Sequence, residues 1–244
     1  MHKKHYSIIA YFISISLLFV ILITSIRMNA FQHSFYERMY KSLQTSTKAQ
    51  VPQEDLMKAT TALLDYLEDK RDDLQVEIHR KGNVNQAFNA KEILHMEDVK
   101  QLYQGTLTIY RICLYGMLIG ILYLGIRLKK GAFSYLALRF VNTALYLIIF
   151  ASVLGAYAII DFDRFWTYFH YIFFSNDLWL LNPATDFMIL MFPEQLFFQL
   201  VLRIFACFSI GVGSIFVLCL YFLKREIRAF TTRSSLLLER MKKK

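Results

Sequence analysis

His95 lies in the string Glu92-Ile-Leu-His95-Met-Glu97-Asp98-Val99-Lys100, and His170 lies in the aromatic run from Phe165 to Trp179. Histidine is the side chain whose ordinary pKa suits proton transfer near neutrality, so these two are the best candidates in the chain for general acid–base chemistry. On a helix, His95 and Asp98 share a face, with Lys91 and Val99 beside the same stripe. An aspartate so placed would orient the imidazole and favour its protonated form. A lone H-x-x-D pair is more often a solvated surface pair, and it is the second histidine, with its membrane position, that shifts the weight. His170 stands among Tyr168, Phe169, Tyr171, Phe173 and Phe174. Such a wall would keep water from an acyl-transfer intermediate. An interfacial histidine whose polar tip reaches the lipid headgroups fits the spacing equally well. Asn176 and Trp179 could donate N–H groups to an oxyanion, although such residues alone are more often structural. Phe88, Tyr168, Phe169, Tyr171 and Phe174 are the expected pocket aromatics.

Other catalytic patterns are missing from the sequence: it holds no H-E-x-x-H, G-x-S-x-G, S-x-x-K or P-loop. A zinc site built from His33, His79, His95 and His170 would lack ligand spacing between any pair, so no metal is expected. His2 and His5 precede the first span and read as bland. Cys113, Cys207 and Cys219 all fall within apolar stretches, where cysteine serves as a small buried filler.

The elements that must position the histidines follow from composition. The chain has 244 residues, 56% of them hydrophobic, which points to a multi-span membrane protein. A bilayer core about 30 Å thick needs about 20 apolar residues per helix. Tyr6 to Ile26, Thr106 to Ile126, Phe133 to Ile160 and Leu196 to Phe222 meet that need. Arg139, Asn142 and Arg203 lie near span ends, where snorkelling accounts for them as well as function does. The net charge of +9 is concentrated beside the spans. Lys3 and Lys4, then Arg127, Lys129 and Lys130, then Lys224, Arg225, Arg228, Arg233, Arg240 and Lys242 to Lys244 mark one face as cytoplasmic, so membrane lipid and not nucleic acid is the expected partner. Both termini are then inside, and both histidine segments outside. The first span has a long apolar core with no Ala-x-Ala-like cleavage site after it, which predicts an uncleaved helix.

The expected class is mainly α: a four-helix transmembrane bundle with a small extracytoplasmic cap of helices and a β-hairpin. Its parts are a first membrane helix (1–29), the cap (30–104), a second membrane helix (105–128), a cytoplasmic turn and third membrane helix (129–160), an aromatic-rich interfacial segment (161–195), a fourth membrane helix (196–223) and a basic cytoplasmic tail (224–244). In the cap, Phe31 to Ser42 could extend the first helix, Pro52 interrupts, and Gln53 to Lys70 carries helical periodicity. Leu74 to His79 and Val84 to Phe88 alternate about Lys81-Gly82-Asn83, which predicts a hairpin. Asn89 and Glu92 have capping-box spacing ahead of the helix that carries His95. Asp161 to Phe198 is broken by Asn182-Pro183 and Phe192-Pro193, and its Asp161, Asp163, Arg164, Asn176, Asp177 and Asp186 make a fifth span costly.

The K-E-I-L-H-M-E-D-V-K string and the F-H-Y-I-F-F-S-N-D-x-W-x-L-N-P-x-T-D string, in this order and within four spans, resemble the two signature blocks of the bacterial lipoprotein intramolecular transacylases (Lit). The resemblance covers the whole length, although the cap between Phe31 and Phe88 carries no matching motif. It implies an integral-membrane enzyme, free of cofactor, that acts on a diacylglyceryl lipoprotein. The sn-2 acyl chain would pass to the α-amine of the N-terminal cysteine, giving the lyso-form. It also implies that His95 and His170 occupy the positions of the family's two histidines; Asp98, Asn176 and Trp179 are the supporting residues that the local spacing offers. His95 is expected as base and His170 as oxyanion or leaving-group donor, in an order the residues leave open. Two other readings stay open at this point: a non-enzymatic sensor or accessory subunit with a partner-binding cap, and a zinc-dependent membrane hydrolase.

Overall fold

The computed structural model describes residues 2–242. The side chains of His2, Lys3, Lys130 and residues 233–242 lie outside the described set, and so do Lys243 and Lys244 entirely; much of the basic run (Arg233, Arg240, Lys242 to Lys244) is among them. The elements run α1 (His2–Ala30), α2 (His33–Leu43), α3 (Thr45–Ala49), α4 (Gln53–Leu67), β1 (Glu77–Arg80), β2 (Asn83–Gln86), α5 (Ala90–Leu128), α6 (Ala132–Ile160), α7 (Phe162–Phe173), α8 (Met188–Met191) and α9 (Glu194–Lys242), with a 3-10 turn at Lys129–Gly131. Among the described residues, four helices are long and apolar enough to cross a membrane: Lys4–Ala30, Ala90–Leu128, Ala132–Ile160 and Glu194–Thr232. The chain is thus a mainly helical protein with four membrane spans and one small antiparallel hairpin.

The chain divides into two compact units. The first comprises Met1–Leu22, Tyr110–Val153 and Ala206–Lys244. Here α1 meets α5 at Gly116 and Gly120, a G-x-x-x-G spacing that lets two helices approach closely without a hydrophobic driving force between them. A methyl group added at Gly120 would lie 3.0 Å from the Ile13 side chain, and one at Gly116 3.0 Å from the Phe12 ring. Leu18, Phe140, Val141, Ala144, Phe208 and Val212 form a second contact zone of α1, α6 and α9. Ile112, Tyr115, Ile119, Leu122 and Ile126 of α5 stay exposed, as lipid-facing positions of a span do.

The second unit comprises Ile23–Ile109 and Leu154–Phe205. Its core gathers Tyr40, Leu56, Leu63, Leu64, Ile78, Phe88, Met96, Phe187, Met191 and Leu196. The region after the first span differs from a simple helix extension. α1 stops at Ala30, Gln32 takes an extended conformation (φ −90°, ψ 99°), and α2 starts afresh at His33. The Tyr36 hydroxyl donates to the Ala30 carbonyl at 2.6 Å, which satisfies one orphan acceptor of the helix end. Gln44 (φ 53°) and Gln50 (φ 56°) bracket α3 in left-handed conformations that turn the chain back toward α4.

The hairpin forms where alternation places it, but with shorter strands. Arg80 pairs with Asn83 across Lys81 (φ 53°) and Gly82 (φ +80°). Positive φ at both central residues matches the right-handed strand twist, so the register is fixed and Ile78 points into the core. The segment from Asp161 folds as α7, a short run of turns and α8, with no further span. The Asp161 side chain caps α7 by accepting the Arg164 N–H at 3.1 Å. After Pro193, α9 runs unbroken to Lys242, so the basic run continues the fourth span as helix.

Candidate active site

The site is built inside the second unit from the first turns of α5, the body of α7 and the loop that follows it. α5 begins with the capping box expected from Asn89 and Glu92: the Asn89 Oδ1 accepts the Glu92 N–H at 3.0 Å, and Glu92 Oε2 accepts the Asn89 N–H at 2.8 Å. Glu92 does more than cap. Its side chain is 1% exposed, and Oε1 accepts the Met188 N–H at 2.5 Å. Asn89 Nδ2 donates to Asp186 Oδ1 at 2.9 Å, and Asp186 Oδ2 accepts the Asn182 N–H at 2.7 Å. Lys91 Nζ donates to the Leu180 carbonyl at 2.5 Å. These bonds tie the start of α5 to residues 180–188, one helical turn before His95. Burial pushes the Glu92 carboxyl above the ordinary range. Burial acts the same way on Asp186, but hydrogen bonds from Asn182, Thr185 and Asn89 outweigh it and hold that carboxyl below its ordinary value.

His95 and His170 face each other, each only 7% exposed, with ring centroids 6.1 Å apart. The Phe174 ring stands against both, at 5.4 Å from His95 and 5.7 Å from His170. Trp179 stacks on His170 at 4.8 Å, and Trp166 meets it edge-on at 5.0 Å. Phe169 lies edge-on to His170 at 5.5 Å and stacks on Trp166. His170 Nδ1 lies 2.8 Å from the Trp166 carbonyl. A carbonyl oxygen only accepts, so Nδ1 carries the proton, and in the neutral ring Nε2 presents a lone pair.

Both imidazoles lie outside the apolar stretch Thr106 to Ile126 of α5, in low-dielectric surroundings. Burial lowers the His95 pKa to about 4; the neighbouring His170 and Lys91 push the same way, and Asp98 opposes them. Burial also lowers His170, against the hydrogen bond to Trp166. Both rings are therefore neutral near pH 7. His95 Nδ1 and the Trp179 indole Nε1 are buried without a hydrogen-bond partner. Buried donors and acceptors are nearly always paired, so these two atoms are open hydrogen-bonding positions of the site.

The remaining residues singled out from sequence sort unequally. Asp98 Oδ2 accepts from Asn176 Nδ2 at 2.8 Å, so its hydrogen bond goes to Asn176, not to the imidazole. Asn176 Oδ1 in turn accepts the Leu178 N–H at 3.1 Å. Tyr168 is 56% exposed and away from the histidine face, because two residues along a helix turn the side chain to the far side. Tyr171 is 59% exposed, and among the described residues its ring contact with the site is with Trp179, at 5.1 Å. Phe88 packs in the cap core, not in ring contact with either histidine. Sequence reading missed the second role of Glu92, the part played by Asp186 and Asn182, and Trp166. The N-P-x-T-D string was visible, but nothing in it indicates a partner 97 positions earlier. His33 and His79 bond Thr61 and Asp55, and the described residues contain no cluster of three or more metal-type ligands.

The model of the lipoprotein intramolecular transacylase Lit family matches residues 11–198. The chain belongs to that family. Membership makes it an acyltransferase and a multi-pass membrane protein. Among solved structures it is similar to the membrane-integral Lit from Bacillus cereus, with a TM-score of 0.76 and 21% identity over 93% of this chain and 99% of that one. Two structures of the Bacillus cereus protein with one histidine replaced are similar too. The arginine variant has a TM-score of 0.71 at 19% identity, covering 93% of this chain and 96% of that one. The alanine variant has a TM-score of 0.71 at 20% identity, covering 93% and 97%. At such identities these structures attest to the shared Lit fold. No curated protein sequence matches.

Proposed function

We propose that this Lit family member transfers the sn-2 acyl chain of a diacylglyceryl lipoprotein to the α-amine of its N-terminal cysteine, leaving the lyso-form, with His95 and His170 as the catalytic pair. The observation that carries this reading is the pair itself: two buried, neutral imidazoles with centroids 6.1 Å apart in an aromatic enclosure. Nucleophile and ester belong to one molecule. Attack closes a ring through N, Cα, Cβ, S, two glycerol carbons, the ester oxygen and the carbonyl carbon. The protein's task is then orientation, proton movement and oxyanion stabilisation.

The Nδ1–H bond to the Trp166 carbonyl leaves Nε2 of His170 as the acceptor, which favours His170 as the base. As the N–C bond forms, His170 takes the amine proton. The imidazolium so formed is supported by the same Trp166 carbonyl. As the C–O bond breaks, the proton passes to the glycerol oxygen, so atoms and charge balance. His95 and the Trp179 indole N–H, both with unpartnered buried nitrogens, donate to the oxyanion. This reverses the order expected from sequence, where His95 was the base. No acyl-enzyme is needed, and among the described residues neither imidazole is bonded to a hydroxyl or thiol. The excess of Lys and Arg beside the spans supports cytoplasmic termini and a site at the extracytoplasmic face. Fragmentation mass spectrometry of a synthetic diacylated lipopeptide incubated with the protein, which locates each acyl chain, tests the reading. An N-acylated lyso product of unchanged mass is expected, and free fatty acid or unreacted peptide would contradict it.

A further inference from the structure

We infer that Asp98, held by Asn176, is the seat of the substrate's N-terminal ammonium. The inference rests on the proposed acyl transfer and adds how the free amine is recognised. An α-amine has an ordinary pKa of about 7.7–8.0, so at neutral pH it arrives as a cation. An opposite charge offsets the desolvation of a cation entering such an enclosure, and two neutral histidines supply none.

The carboxylates around His95 are not equivalent. Glu92 spends Oε1 on the Met188 N–H and Oε2 on the Asn89 N–H. Asp186 spends Oδ1 on Asn89 and Thr185, and Oδ2 on the Asn182 N–H. Glu97 and Asp177 are exposed, and Glu97 lies toward Tyr66. Asp98 is half-buried one turn after His95, and among the described residues its only hydrogen bond is the one Asn176 donates to Oδ2. Oδ1 is left to accept. The Leu178 N–H fixes the Asn176 carboxamide, so the orientation of Asp98 is set before a ligand arrives. Asp98 is also the carboxylate whose charge acts on His95, which places it beside that ring.

The ammonium on Asp98 releases one proton to solvent before attack. The neutral amine keeps an N–H to the carboxylate, which aims its lone pair, and yields its second proton to His170 during attack. A product with an acylated nitrogen can no longer carry the cation, and Asp98 then favours its departure.

The test is binding, which turnover does not enter. The probe is a thioether-linked dialkylglyceryl peptide whose sn-2 ester is replaced by an ether, made with a free or an N-acetylated terminus. It is titrated at pH 7 against the full chain in detergent micelles. The wild type is expected to bind the free-amine probe about tenfold more tightly, the worth of one charge-assisted hydrogen bond. Asp98→Asn abolishes that ratio, and Asn176→Ala reduces it. Glu97→Gln leaves it intact. A ratio near one in the wild type, or a ratio retained in a folded Asp98→Asn protein, would overturn the inference. Failure of the acyl-transfer reading is seen separately, as absence of product from the ester form.

Discussion

Replacing Glu92 with alanine removes the carboxylate that fastens the first turn of α5 to residues 187–188. Its oxygens accept the Met188 N–H at 2.5 Å and the Asn89 N–H at 2.8 Å, and the side chain is 1% exposed, so water does not replace them. The buried Met188 N–H left without an acceptor costs about 1–3 kcal/mol, and loss of the capping-box bond from the part-buried Asn89 N–H about 1 kcal/mol more. Burial lifts the Glu92 carboxyl above its ordinary range, so removing a disfavoured charge returns part of that cost. The net destabilisation is about 2–3 kcal/mol. At about 2–4 °C per kcal/mol for a chain of this size, the midpoint falls by on the order of 10 °C. Glu92→Gln keeps one acceptor and should lose about half as much. The assay is thermal unfolding in micelles followed by tryptophan fluorescence. Both tryptophans, Trp166 and Trp179, flank His170, so the same signal reports the site. A midpoint within about 2 °C of wild type for Glu92→Ala would refute the fastening role.

Other consequences follow from the same structure. Trp179→Phe keeps the stack on His170 but removes the indole N–H, so kcat should fall about 10- to 100-fold with little change in unfolding midpoint; an unchanged kcat would remove Trp179 from the oxyanion site. The His95 pKa of about 4 lies below the ordinary 6.5, so the unfolded chain binds the extra proton first and stability is lost as pH falls from about 6.5 toward 4. His95→Gln should flatten that part of the profile relative to wild type, and parallel profiles would contradict the buried neutral ring. With both histidines already neutral at pH 7, kcat/KM should rise toward about pH 8 as the substrate amine deprotonates, without a limb near 6.5. Gly120→Val, forced against the Ile13 side chain at 3.0 Å, should destabilise by about 1–3 kcal/mol, whereas Gly155→Ala meets only the Phe205 ring at 3.6 Å and should be near neutral in the same unfolding assay.

Much of this was legible in the sequence because the deciding signals are local. Hydropathy placed the four spans, alternation about Lys81-Gly82 placed the hairpin, and the Asn89–Glu92 spacing placed the start of α5. The two histidines stood out by residue type and by their surroundings. The rest depends on contacts between residues far apart in the chain. Nothing local pairs Asn176 with Asp98, 78 positions away, or Met188 with Glu92, 96 positions away. His170 is oriented by a backbone carbonyl, which side-chain motifs do not encode. Aromatic density marked α7 as special, but helical phase decided which rings enclose the histidine, keeping Trp166, Phe169 and Phe174 and turning Tyr168 away. The break at Phe31 and the left-handed Gln44 and Gln50 carry no Gly or Pro signal, so the path of the cap was not readable in advance.

The most direct measurement compares wild type with His95→Asn and His170→Asn, each shown to be folded by tryptophan fluorescence, on one synthetic diacylated lipopeptide with the terminus read by mass spectrometry. The account predicts the N-acylated lyso product from wild type and none above background from either variant. A folded variant of either histidine that still forms this product at the wild-type rate would contradict it.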